Sequence, residues 1–129
     1  MEKIVENIAL IGASANKSKY GNIILKDLRS KGYTVFPVHP ALKEIEGIKV
    51  YNSVDELNVL PDLFVFVIPS SLGFDITKKL YEKGHRKFWY QPGAQSVEIS
   101  DFLEKDNSVK FSTISCIMVN TEMQGDLVF

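Results

Sequence analysis

The segment DLFVFVIP, residues 62–69, constrains this chain more than any other, because it is almost wholly apolar and rich in residues that favour strands. A strand without a polar face has to be covered on both sides, and a central position in a parallel sheet provides that cover. Parallel strands in turn need crossover connections, which amphipathic helices supply. The rest of the sequence alternates in this sense, between short apolar runs and stretches of helical period.

The pattern predicts strands at 8–12, 33–40, 62–69, 87–93 and 109–113, with a short edge strand opening the segment 48–57. Helices are predicted at 20–31, 70–84 and 96–106. Tyr20, Ile23, Ile24 and Leu28 are expected to form the buried face of the first helix, which Gly32 stops. Leu72, Ile76 and Leu80 at four-residue spacing mark the second, with Ser70 and Ser71 as its caps, and Ser53 is read as a cap ahead of 54–57. The order β-α-β-β-α-β-α-β with right-handed crossovers gives a Rossmann-like α/β fold: a doubly wound, mainly parallel sheet with helices on both faces. Residues 1–129 read as a single domain without repeats or linkers.

Fifteen basic residues against sixteen acidic ones leave a net charge of −1, so no overall field draws the chain to nucleic acid or to an anionic membrane. Cys116 is the only cysteine, which rules out an intrachain disulfide and fits a reducing compartment. The opening MEKIVENIALIG does not read as a leader, and no run is long enough to span a bilayer. A cytoplasmic protein is expected.

In a doubly wound sheet the ligand lies beyond the carboxyl ends of the strands, where the strand order reverses. With the six strands in the order 3-2-1-4-5-6, the loops after residues 12, 38, 68 and 91 converge there. The first, IGASANKSKYG, is neither a Walker loop nor a dinucleotide fingerprint, since Ser14 and Lys17 stand where glycines are required. It does offer Gly12, Ser14, Asn16, Lys17, Ser18 and Lys19 ahead of a helix, a set suited to phosphate. The absent side chain of Gly12 is expected to leave room for that group. The second strand ends in Val38, His39 and Pro40 rather than the acid that NAD ribose requires, and His39 with Lys43 would suit a further phosphate. The third loop presents Ile68, Pro69 and Ser70, the fourth Gln91 and Gly93. Taken singly, each loop reads equally well as an ordinary turn with Ser18 or Ser70 as a cap. No nucleophile-base pair, carboxylate pair or metal-ligand spacing is evident, so no catalytic or metal residues are assigned.

In combination the G-A-S loop with its lysines, GYTVFPVHP, EGIKVYNSVDEL, DLFVFVIP and KFWYQPG resemble, in order and spacing, the CoA-binding domain family. The nearest resemblance is to small stand-alone members of the YccU-like kind, and a more distant one is to the N-terminal domain of the succinyl-CoA synthetase α subunit. The resemblance implies coenzyme A or an acyl-CoA as ligand. Residues 14–19 would face its phosphates, Val38, His39, Pro40 and Lys43 the phosphoadenosine end, and Ile68, Pro69, Ser70, Gln91 and Gly93 the adenine or the pantetheine arm. The synthetase carries its phosphorylated histidine on a second domain with no counterpart in these 129 residues. The expectation is therefore a carrier, sensor or regulator without catalysis of its own, with a protein partner left open. The alternative is an NADP-binding oxidoreductase or redox sensor; a module with a vestigial groove is a third reading. Cys116 reads as a small buried hydrophobe, or else as a thiol that the pantetheine arm reaches to form a mixed disulfide.

Overall fold

The computed structural model describes residues 5–121, so the first four residues of the segment read for a leader lie outside it. In chain order the elements are β1 (Asn7–Ile11), α1 (Tyr20–Ser30), β2 (Thr34–Val38), β3 (Glu44–Ile45), β4 (Ile48–Lys49), β5 (Leu63–Phe66), α2 (Ser70–Glu82), β6 (Lys87–Tyr90), α3 (Val97–Glu104) and β7 (Lys110–Ser112). Five strands form one sheet in the order β2-β1-β5-β6-β7, and every neighbouring pair in it is parallel. The chain leaves β1 through α1 to reach β2, then crosses back to β5 on the other side of β1. The strand order thus reverses beside β1.

Alternation along the strands divides the core in two. Ile8 and Leu10 of β1, Leu63 and Val65 of β5 and Trp89 of β6 pack against Ile24, Leu25 and Leu28 of α1. Ala9, Ile11, Phe64, Phe66, Phe88 and Tyr90 face the other way, toward Leu80 of α2 and Ile99 and Leu103 of α3. β5 is buried at every position, as its composition requires. Each large apolar side chain so buried contributes about 1.5–3 kcal/mol. The Tyr90 hydroxyl, whose pKa burial raises, shares a hydrogen bond of 2.5 Å with the buried Thr77 Oγ1.

The structure corrects the sequence reading in two places. The expected third strand shrinks to one bridge between Val38 and Tyr51, fixed by His39 N–H to Tyr51 O and Tyr51 N–H to Pro37 O, both at 2.9 Å. The residues before it fold back as the β3–β4 hairpin, because Glu46 and Gly47 at its tip adopt φ of 49° and 83° and reverse the chain. The buried face of α1 is Gly21, Asn22, Ile24, Leu25 and Leu28, one residue out of phase with the expected one. Tyr20 is 64% exposed, since it is Gly21 that lies against the carbonyl of Gly12. On α2 the buried residues are Gly73, Thr77 and Leu80, while Leu72 is 57% exposed. No helix among the described residues is long and apolar enough to cross a membrane.

Candidate functional site

A cleft of about 630 Å³ opens at the carboxyl ends of β1, β2 and β5, on the face that α2 covers. Its floor is Ile11 to Ser14 after β1, Val38 to Pro40 after β2 and Val67 with Ile68 after β5; Asn52 to Val54 form one wall, and Leu72, Asp75, Ile76 and Lys79 of α2 the other. These four fall on one helical stripe. Leu72 gives the cleft an apolar side, and Ile76 both lines it and packs against the core beneath α2.

The first loop is shaped by close contact. Gly12 has φ of 104°, and a Cβ added there would lie 2.6 Å from Val67 O and 2.8 Å from Ile68 Cγ2. Its missing side chain therefore accommodates the end of β5 and does not leave the open phosphate space that was expected. The N–H groups of Gly12 and Ala13 both donate to Val38 O, at 3.1 and 3.3 Å, which ties the ends of β1 and β2 together. Beyond them Asn16 Oδ1 accepts from Ser18 N–H at 3.0 Å and from Ser18 Oγ at 2.7 Å. Ser18 thus braces a turn instead of capping α1, whose N-cap is Lys19 without any side-chain bond.

α2 begins in the same way. Its N-cap is Pro69, again without a side-chain bond, and Ser70 and Ser71 stand inside the first turn rather than before it. Neither α1 nor α2 has an acidic residue in its first turn. By contrast α3, away from the cleft, is capped by Ser96 and carries Glu98. The amides of Ser14, Ala15 and Lys17 meet no acceptor among the described residues. Two helix N-termini and three unbonded N–H groups therefore gather beside the cleft, a combination that favours an anion.

The cations are less uniform than the sequence suggested. Lys17 is 75% exposed with its Nζ 3.9 Å from Glu46 Oε1; Lys19 and Lys43 are exposed. Lys79, which sequence reasoning did not single out, lines the cleft but pairs with Asp55 at 3.0 Å. Lys83 contacts the same carboxylate. His39 lines the cleft, yet its Nδ1 accepts from the amides of Ala41 and Leu42 at 3.1 and 3.2 Å. Only its Nε2 is therefore left to meet a ligand.

Lys83 and then Lys79 hold the Asp55 carboxyl down at about 2. A depressed folded-state value stabilises above the unfolded value near 4, and that contribution is lost as pH falls through about 2. Asp55→Asn is accordingly expected to reduce the drop in thermal midpoint between pH 4 and pH 2 relative to the parent, followed by circular dichroism. Equal drops would show that the pair contributes nothing.

Of the residues picked from sequence, Gly12, Ser14, Val38, His39, Pro40 and Ile68 line the cleft. Asn16, Lys17, Ser18 and Lys19 continue the first loop beyond it, Pro69 and Ser70 open α2 beside it, and Lys43 lies on the connection after β2. Gln91 and Gly93 do not line it. The Gln91 side chain is buried, its Oε1 accepting from Ile117 N–H at 2.7 Å and its Nε2 lying 3.1 Å from Cys116 Sγ. Cys116 is half-buried and likewise outside the cleft.

Comparison with known proteins bears on the fold and the family. A conserved hypothetical protein of Pyrococcus furiosus has a structure similar at a TM-score of 0.83 and 54% identity, over 90% of this chain and 99% of that one. A hypothetical protein of Pyrococcus horikoshii OT3 is similar at 0.81 and 27% identity, over 89% of this chain and 80% of the other. Acetate–CoA ligase I (ADP-forming) of Archaeoglobus fulgidus is 38% identical over 79 residues, which are 61% of this chain and 11% of the ligase. The chain thus matches about a tenth of that ligase's length. The family model described as the CoA binding domain matches residues 6–122, and the chain belongs to that family.

Proposed function

We propose that this domain binds coenzyme A or an acyl-CoA in the cleft, and that it serves in the cytoplasm as a carrier, sensor or regulator without catalysis of its own. The observation that carries the reading is the junction of an apolar cleft with an end rich in unbonded amides and uncapped helix N-termini. A ligand with a phosphate-bearing nucleotide and a long, uncharged arm suits both parts. Ser14 to Lys19 and the start of α2 at Pro69 and Ser70 would hold the pyrophosphate, Lys43 the remaining phosphate, and Val38 to Pro40 with Ile68 the nucleoside. What the group supplies when bound is a thiol that carries acyl chains as thioesters.

Calorimetric titration with CoA, dephospho-CoA, NADP and NAD tests the reading. CoA is expected to bind tightest, with dephospho-CoA roughly fivefold weaker, about 1 kcal/mol, because Lys43 is exposed and its charge screened. Acetyl-CoA incubated with the protein should keep its thioester, as followed by mass spectrometry. A preference for NADP would favour the redox alternative, and hydrolysis of the thioester would overturn the non-catalytic role.

A further inference from the structure

Resting on the reading of the cleft as a CoA site, we infer that Glu46 and Asn22 form a positioning pair that presets the peptide between Ser14 and Ala15 for an anion. Glu46 stands at the first position of the two-residue β3–β4 turn and, among the described residues, is the only non-glycine with positive φ. That position favours Gly, Asn or Asp, so the local backbone does not account for a glutamate there. Its carboxylate does. Oε2 accepts from Asn22 Nδ2 at 3.1 Å and pairs with Lys26 Nζ at 2.9 Å, so the hairpin tip is fastened to the first turns of α1.

Asn22 is fully buried, and its Nδ2 also donates to the carbonyl of Ser14 at 2.9 Å. These two acceptors decide which way the amide faces, since a turned-over Asn22 would set its oxygen against a carbonyl and a carboxylate. The arrangement persists although Oδ1 is left buried without a partner. In a trans peptide the C=O and the following N–H point in opposite directions, and the chain has no cis bonds among the described residues. Holding the Ser14 carbonyl on Asn22 therefore turns the Ala15 N–H away from the helix, to the exposed side of a loop whose Ser14 lines the cleft. This loop lacks the second and third glycines of a dinucleotide fingerprint, and the hairpin sets its amide from outside.

The experiment compares Glu46→Ala with Glu46→Gln, which keeps an oxygen for Asn22 but gives up the charge. The hairpin tip is exposed, so both variants should fold, as thermal midpoints would check. In ¹⁵N-labelled protein without ligand, Glu46→Ala should shift the Ala15 amide and the Asn22 side-chain signals, and Glu46→Gln should leave them near the parent's. CoA affinity should fall about three- to tenfold in Glu46→Ala and stay within about twofold in Glu46→Gln. If both variants bind CoA more tightly, Glu46 merely repels the ligand and the positioning role is overturned; unchanged affinity in Glu46→Ala overturns it too. A parent that does not respond to CoA would sink the reading of the cleft instead. The ligand-free spectra then still decide, because unmoved Ala15 and Asn22 signals in Glu46→Ala overturn the pair.

Discussion

Replacing Gly12→Val is expected to destabilise the domain by about 2–6 kcal/mol. Two costs add. A branched residue at φ of 104° sits in a region that costs about 1–3 kcal/mol. The new Cβ would also lie 2.6 Å from Val67 O and 2.9 Å from Val67 C, and because those atoms are main chain, relief means moving the end of β5, an overpacking cost of roughly 1–3 kcal/mol. Against a total stability of roughly 5–15 kcal/mol the loss is large, and urea unfolding would show it as a lower midpoint. Gly93 provides the control, with φ of 98° and nothing within 4 Å of an added Cβ. Gly93→Val should show only the backbone cost, about 1–3 kcal/mol. Equal losses in the two variants would mean that the approach of the β1 and β5 ends does not matter.

That result bears on function through position, since Gly12 lines the cleft while holding two of the strands that frame it. CoA binding by whatever Gly12→Val remains folded would not report on room for phosphate. Lys17→Ala is a gentler probe of the loop but a weaker one, its side chain being three-quarters exposed.

The strands could be read from sequence because burial on both faces writes itself as an unbroken apolar run, as in β5, and because glycine marks where β1 and α1 end. The switch point beside β1 followed from the order of elements once the strand order of a doubly wound sheet was assumed. What could not be read depends on contacts between distant residues. The phase of α1 is set by Gly21 against the Gly12 carbonyl, which no periodicity records. Leu72 has the spacing of a core residue yet is exposed along the cleft, since spacing identifies a stripe and not what faces it. Lys79 and Asn52 enter the site only because α2 and the segment after the hairpin meet there. Likewise a histidine just past a strand looks open to a ligand through both ring nitrogens until its Nδ1 is found accepting from two amides. Glu46 escaped notice because a turn glutamate is ordinarily just a solvated charge.

The resemblance to CoA-binding domains implied a ligand role for Gln91, and the structure gives that side chain a different occupation that Gln91→Leu would test. The residue follows β6 directly, and its Oε1 takes the buried N–H of Ile117 at 2.7 Å. Around Ile117 the chain returns from β7 to α1, where Lys31 Nζ donates to Met118 O at 2.7 Å and Trp89 Nε1 to Ser115 O at 2.9 Å. Leucine fills a similar volume but accepts no hydrogen bond, so the Ile117 amide would be left buried and unpaired. Such a group costs about 1–3 kcal/mol, and urea unfolding is expected to show a loss of about 2 kcal/mol. Hydrogen exchange should locate it, with faster exchange at Ile117 and its neighbours and little change in β1 or β5. Since Gln91 lies outside the cleft, CoA should bind folded Gln91→Leu within about twofold of the parent. A tenfold loss of affinity, about 1.4 kcal/mol, with exchange at Ile117 unaltered, would return Gln91 to the ligand and show that the bound cleft extends to the end of β6.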